Sequence, residues 1–154
     1  MIQGDHLTLP ATLLSTRDLA WRIRRHVVEM THRGNSSHIG SGLSIADVLA
    51  VLYGTILRLR PQEPQWSLRD RFILSKGHAG AAVYAVLAEC GFIPLDMLAS
   101  HFQDGSLLSG HISHLGIPGV EMSTGSLGHG LSVASGRSFA LKKAASASRV
   151  FVLM

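Results

Sequence analysis

The segment Phe72-Ile73-Leu74 runs without a break into Ser75-Lys76-Gly77-His78 and then into the small-residue stretch Ala79–Cys90. A short apolar run ended by a glycine turn predicts a buried strand, and the stretch after it predicts a helix. Strand, glycine turn and helix in that order put the turn at the C-terminal edge of a sheet, where open α/β proteins bind their ligands. Near the other end, Arg149-Val150-Phe151-Val152-Leu153-Met154 has the continuous hydrophobicity of a buried parallel strand. Helix signals lie before and between the two runs. The fold class is therefore α/β, a parallel sheet flanked by helices.

The helix signals are specific. Thr16 is placed to cap a helix running to about Thr31, with Leu19, Ile23, Val27 and Met30 on its buried side. The run from Arg33 to Gly42, with Asn35, Ser36, Ser37 and His38, predicts a break. Ser44 and Asp47 have capping-box spacing ahead of an apolar stripe of Ile45, Val48, Leu49, Leu52 and Ile56. Pro94 opens a short helix through Ser100, and residues 101–124 form a long irregular region rich in Gly, Ser and His. Loops of that length usually serve a site or an interface. Residues 1–14 read as an arm and residues 15–154 as one domain.

The stretch Glu121–Lys143 opens with the turn Ser123-Thr124-Gly125-Ser126 and continues as a helix. Gly125 suits positive φ or a close approach to a ligand, and the three hydroxyls can cap the free N–H groups of the helix start. Those N–H groups and the helix dipole make a seat for phosphate. Gly128, Ser132, Gly136 and Ala140 share one face that another backbone or a bulky ligand can approach. A tightly packed helix with a glycine-rich start explains the same residues, and both readings stand.

Composition narrows the partners. Only 16% of residues are charged and mean hydropathy is +0.25, against about 25% charge in an ordinary soluble domain. Such a surface predicts burial in an assembly or membership of a larger folding unit. No apolar run reaches the roughly 18 residues of a membrane span, and the first ten residues lack the layout of a secretion signal. The single cysteine, Cys90, excludes an internal disulfide and fits a reducing cytoplasm. The net charge of +4 is concentrated in Arg17, Arg22, Arg24 and Arg25. Without aromatic interleaving these read as a solvated helix face, so neither nucleic acid nor membrane is expected as a partner. An anionic small molecule is compatible.

Five of nine histidines (His38, His78, His111, His114 and His129) stand beside Gly or Ser in turn-like sequence. His78 directly follows a strand, where an imidazole can donate a hydrogen bond to an anion at the next helix N-terminus. Taken alone, His38 reads rather as a capped surface histidine, and His129 as facing a partner. His111 and His114 have no third ligand to complete a zinc set. Lys76 can meet a phosphate as a point charge or simply stand exposed at the strand end. Asp70, between Arg69 and Arg71, reads as an ion pair rather than a catalyst. No Ser-His-Asp order, HExxH, Walker loop or CxxC is present, which disfavours a self-contained hydrolase or nucleotide-triphosphate enzyme.

Several stretches together resemble the transketolases: Asn35–Gly40 with Leu43-Ser44; Arg69–Ala79; and Gly110-His111, Pro118–Glu121 and Ser123–Ser132. Ser126, His129, Ile39 and Ile112 are most similar to the N-terminal subunits of two-gene transketolases. The resemblance implies thiamine diphosphate as cofactor, with magnesium, and transfer of a two-carbon ketol unit between sugar phosphates. It implies that His78 contacts the diphosphate, that Gly125, Ser126 and Leu127 line the cofactor cleft, and that His38 and His111 face the substrate as proton shuttles or electrostatic stabilisers. In that family the strand matching Val150–Leu153 leads into a Gly-Asp-Gly loop and, further on, an Asn that hold magnesium. These 154 residues stop before that motif. The expectation is a partial thiamine diphosphate-binding fold, incomplete at its C-terminus, whose metal ligands lie outside this chain. Such a chain needs a transketolase C-terminal subunit or further copies and is inactive alone. The alternative is a non-catalytic, truncated paralogue that serves as an interaction partner.

Overall fold

The computed structural model describes residues 14–154. All but the last residue of the arm read over 1–14 therefore lies outside the described residues. Helix α1 (Thr16–Arg33) is amphipathic, with Leu19, Ala20, Ile23, Val27, Met30 and Thr31 buried. Its cap is Ser15 rather than Thr16: the Ser15 side chain accepts a hydrogen bond from the Asp18 amide at 3.1 Å.

The region expected as one helix after a long turn is built differently. Helix α2 (Ile39–Ser44) lies inside the glycine- and serine-rich run, and α3 (Ala46–Val51) follows it and winds into a π-helical turn over Leu52–Ile56. The capping box does not form. Ser44 Oγ donates to the Ser41 carbonyl at 2.8 Å, and the Asp47 carboxylate is paired with Arg24. The buried face consists of Ile45, Ala46, Leu49, Ala50 and Tyr53, whereas Val48 and Ile56 are exposed. Small residues at 46 and 50 let this segment lie against α1, so the face turns by about one residue from the stripe of large side chains.

Strand β1 (Arg71–Leu74) pairs in parallel with β2 (Val150–Leu153), Phe72 opposite Phe151 and Leu74 opposite Leu153. Phe72 and Leu74 join the core formed by α1, α3 and α4 (Gly80–Glu89), with Phe151 and Leu153 packed against it. The alternation of a strand sends Ile73 to the opposite face, where α5 (His129–Lys143) packs on both strands. Helix α4 is buried all round from Gly80 to Ala88, which explains why its sequence has no polar face. Helix α5 is the reverse case: only Gly130 and Ala134 are buried. The Gly128, Ser132, Gly136 and Ala140 face, expected to admit a close neighbour, is exposed, and no atom lies within 4 Å of a Cβ built on Gly136. Close approach occurs at Gly130 instead, where a Cβ would lie 2.7 Å from Ser75.

Two buried carboxylates hold the N-terminal end of the sheet. Asp70 accepts from the Arg149 amide at 2.9 Å and the Arg58 amide at 3.0 Å, and pairs with both guanidinium groups, at 2.6 and 2.8 Å. It is an ion pair, as its sequence context suggests, but its partners are distant in the chain. Glu121 is ringed by Arg69, Arg71 and Arg137, the last at 2.8 Å from α5. Burial of Asp70 by itself would raise its pKa. The hydrogen bonds from Arg149 and Arg58 outweigh burial and hold the carboxyl well below the usual carboxylate range.

A carboxyl whose folded pKa lies below its unfolded value stabilises the fold fully above the unfolded pKa. The contribution is lost as pH falls from about 5 past the unfolded value of about 3.9. Asp70→Asn is expected to cost about 3–5 kcal/mol at pH 7 in urea denaturation, because it leaves two guanidinium groups without their anion. The variant's stability should also vary less with pH below about 5 than the parent's.

Candidate ligand cleft at the C-terminal edge of the sheet

Three segments meet where β1 ends. The Ser75 amide extends the ladder to the Leu153 carbonyl at 2.7 Å, and its Oγ accepts from the Gly130 amide at 3.1 Å. Thr124 Oγ1 donates to the Leu74 carbonyl at 2.6 Å. The Ile112 amide donates to the Gly77 carbonyl at 2.9 Å, and the Thr124 amide to the Ile112 carbonyl at 3.3 Å. A Cβ on Gly77 would lie 2.0 Å from the Thr124 carbonyl oxygen, so only glycine permits this approach. Gly80 likewise leaves room for the Ile112 backbone, 2.8 Å from where its Cβ would stand. The long loop is thus tied to the strand edge by backbone contacts. Tyr84, fully buried on α4, adds a polar tie, its hydroxyl accepting from the Ser113 amide at 2.8 Å.

This knot brings together residues far apart in sequence. The His38 ring lies 5.2 Å from that of His78 and 5.6 Å from that of His111, centroid to centroid. Gly125 stands beside His111, whose Cδ2 is the only atom within 4 Å of a Cβ built on the glycine, at 3.9 Å. His38, His111, Gly125, Ser126 and Leu127 are exposed and His78 is half-buried. The candidate residues His38, His78, His111 and Gly125 therefore surround one open cleft, and Ser126 and Leu127 continue its rim.

Local details differ from the sequence expectation. Gly125 is not in the left-handed region; the positive φ of this stretch falls at Gly128, +91°. Helix α5 begins a turn later than expected, and no side chain caps it. Thr124 is engaged with Leu74, and Ser123 with His114 Nδ1 at 2.8 Å, so neither hydroxyl is available to the helix start. His129 is the first, exposed residue of α5. His38 adopts φ +72°, a left-handed conformation costing a non-glycine residue roughly 1–2 kcal/mol. Its position between Ser37 and Ile39 gives no local sign of that strain, which only the packing of α2 imposes.

Burial depresses the His78 pKa most, and His38, Lys76 and His111 push it in the same direction. At neutral pH His78 is an uncharged imidazole with one N–H donor and one acceptor nitrogen. A cavity of about 440 Å³ lies elsewhere, at the far end of α4, lined by Tyr53, Leu57, Cys90 and Phe92 beside Glu89. Its carboxylate is engaged by His26 at 2.7 Å and Arg22 at 3.3 Å. Burial, with a smaller contribution from Glu89, pushes the Cys90 thiol up to about 12, so it is no nucleophile. The chemistry therefore belongs to the histidine cleft.

Residues 15–149 match the family described as "Transketolase, thiamine diphosphate binding domain". One of the two subunits of the apulose-4-phosphate transketolase of Phocaeicola vulgatus is 41% identical over 131 residues, covering 85% of this chain and 46% of that protein. A 6-deoxy-6-sulfo-D-fructose transketolase subunit of a Clostridium species is 40% identical over 120 residues, covering 78% of this chain and 44% of that one. The chain thus spans slightly under half the length of these relatives. Among solved structures, the transketolase of Leishmania mexicana superposes with a TM-score of 0.86 at 33% identity, over 90% of this chain and 22% of that one. That of Campylobacter jejuni gives 0.79 at 37%, over 84% and 20%.

Two outcomes are expected of the cleft. Gly77→Ala should cost about 1–3 kcal/mol in thermal or urea denaturation, since the added methyl must displace the Thr124 backbone. In a pH titration followed by NMR, His78 should show a midpoint below the ordinary value of about 6.5. His38→Gln should raise that midpoint without restoring it fully, because burial persists.

Proposed function

This chain belongs to the transketolase thiamine diphosphate-binding domain family, and from that premise we propose that it supplies one wall of the cofactor site of a two-gene transketolase. The reaction is transfer of a two-carbon ketol unit between sugar phosphates. It requires other polypeptide, either a transketolase C-terminal subunit or further copies. The observation that carries this reading is the convergence of His38, His78 and His111 beside Gly125 at the strand edge.

The residues present fit a diphosphate tail. His78 is held uncharged with an N–H to donate, and Gly125 has open space on its side-chain face for a bulky group to pass. In this reading His78 contacts the diphosphate, while Gly125, Ser126 and Leu127 line the cofactor cleft. Magnesium accompanies the diphosphate on ligands from elsewhere. When bound, thiamine diphosphate supplies the carbon nucleophile of the reaction. His38 and His111, exposed at the mouth, hydrogen-bond substrate hydroxyls and move protons between ring nitrogens and substrate oxygen. The Gly77–Thr124 contact keeps His78 and the turn in fixed register, so positioning is settled before ligand arrives. The reading extends to cytoplasmic carbohydrate metabolism of the pentose phosphate type and to an oligomeric assembly.

The test combines calorimetry and turnover. With a C-terminal partner and magnesium present, the chain should bind thiamine diphosphate and turn over a ketose phosphate; alone it should not turn over. His78→Ala should weaken cofactor binding by about tenfold or more, whereas His38→Ala and His111→Ala should lower turnover with little change in cofactor affinity. A stable complex that never binds cofactor would sink the catalytic reading in favour of a pure interaction partner.

A further inference from the structure

The cleft contains one side chain that the histidine reading does not use. Lys76 follows β1 and is half-buried. The backbone on either side of it is immobilised: Ser75 is bonded to Leu153 and Gly130, and Gly77 is pressed against Thr124. The lysine stem therefore leaves from a fixed point at the floor of the cleft.

Its ammonium group lies 3.2 Å from Ser44 Oγ. That hydroxyl spends its proton on the Ser41 carbonyl, so it can only accept from Lys76, and two ammonium N–H donors remain uncommitted. Among the described residues Lys76 forms no ion pair, and Asp47, the acidic residue nearest Ser44 in sequence, is taken by Arg24. Lys76 is close enough to His78 to push its pKa down. The surrounding groups are imidazoles and hydroxyls. A half-buried ammonium resting on a hydroxyl, without an anion, is a charge whose counterion must come from a ligand.

We propose that Lys76 is the permanently charged receptor for a phosphoryl group in this cleft, parked on Ser44 in the free protein and transferred to the anion on binding. The inference rests on reading the cleft as a diphosphate pocket and adds to it a residue with a different property. His78 is neutral at pH 7, so the imidazole contributes direction and Lys76 contributes charge. The phosphoryl group can belong to the cofactor tail or to the sugar substrate, and the experiment separates them.

Calorimetry at pH 8 without divalent metal, on the intact chain, compares inorganic pyrophosphate, thiamine diphosphate with thiamine as control, and fructose 6-phosphate with fructose as control. Lys76→Met should weaken the phosphorylated probes by about tenfold or more, leave thiamine and fructose unchanged, and preserve the melting temperature; Lys76→Arg should retain most of the affinity. Loss confined to pyrophosphate and thiamine diphosphate assigns Lys76 to the cofactor tail. Loss confined to fructose 6-phosphate assigns it to the substrate. Equal binding by Lys76→Met and parent, or no binding of any phosphorylated probe by the parent, overturns the proposal. Lys76-dependent binding of pyrophosphate, with no thiamine diphosphate binding even with magnesium and partner, upholds Lys76 and overturns the transketolase reading. Thiamine diphosphate binding that ignores Lys76 does the reverse.

Discussion

The contact between the Gly77 backbone and the Thr124 carbonyl governs the cleft. It brings the end of a strand and the end of a loop of more than twenty residues to a separation that excludes even a methyl group. Once made, it fixes the Thr124 hydroxyl on Leu74 and the Ile112 amide on Gly77, and with them the backbones that carry His111 and Gly125. The loop has no regular element of its own, and what order it has is borrowed from the strand edge. Two backbones in direct contact cannot slide as side chains can, so the relative position of His78 and the turn tolerates little variation.

The opposite end of the sheet is held by charge. Asp70 draws the backbone amides of Arg58 and Arg149 together with their guanidinium groups, joining the segment before β1 to the residue before β2. Two strands of four residues make a weak sheet alone, and an anion binding both entering chains compensates for its small size. Glu121 extends the arrangement to α5 through Arg137. That tie matters because α5 buries only Gly130 and Ala134 on its own account. Backbone packing at one end of β1 and buried ion clusters at the other thus locate the helix that follows the ligand turn.

What was legible in the sequence followed from periodicity and punctuation. Both strands, the buried helix after His78 and the amphipathic α1 carry patterns that tertiary packing reinforces. So does the pairing of His78 with the Gly125 turn, because strand–turn–helix order alone puts both at one sheet edge. The errors have a common cause. Ser44 with Asp47, and Ser123 with Thr124, have the chemistry of caps, but each found a distant partner: Arg24 for Asp47, His114 for Ser123 and Leu74 for Thr124. Local pattern cannot weigh a long-range competitor. For the same reason the glycines that matter for close approach, Gly77, Gly80 and Gly130, were less conspicuous than the regularly spaced Gly128 and Gly136. The strain at His38 had no sequence signal at all.

The distribution of charge along β1 ties these features to chemistry. Buried acid is placed at the N-terminal end, where Asp70 and Glu121 are enclosed by arginines. At the C-terminal end, among the described residues, no carboxylate bonds to any residue of the histidine cleft. An anion entering there meets no like charge and finds Lys76 uncompensated and His78 ready to donate. The same absence lowers the His78 pKa, since nothing nearby favours its protonated form. One asymmetry therefore both attracts a phosphoryl group and keeps the adjacent imidazole neutral. A carboxylate placed beside His78 would undo both effects at once, repelling the anion while charging the ring.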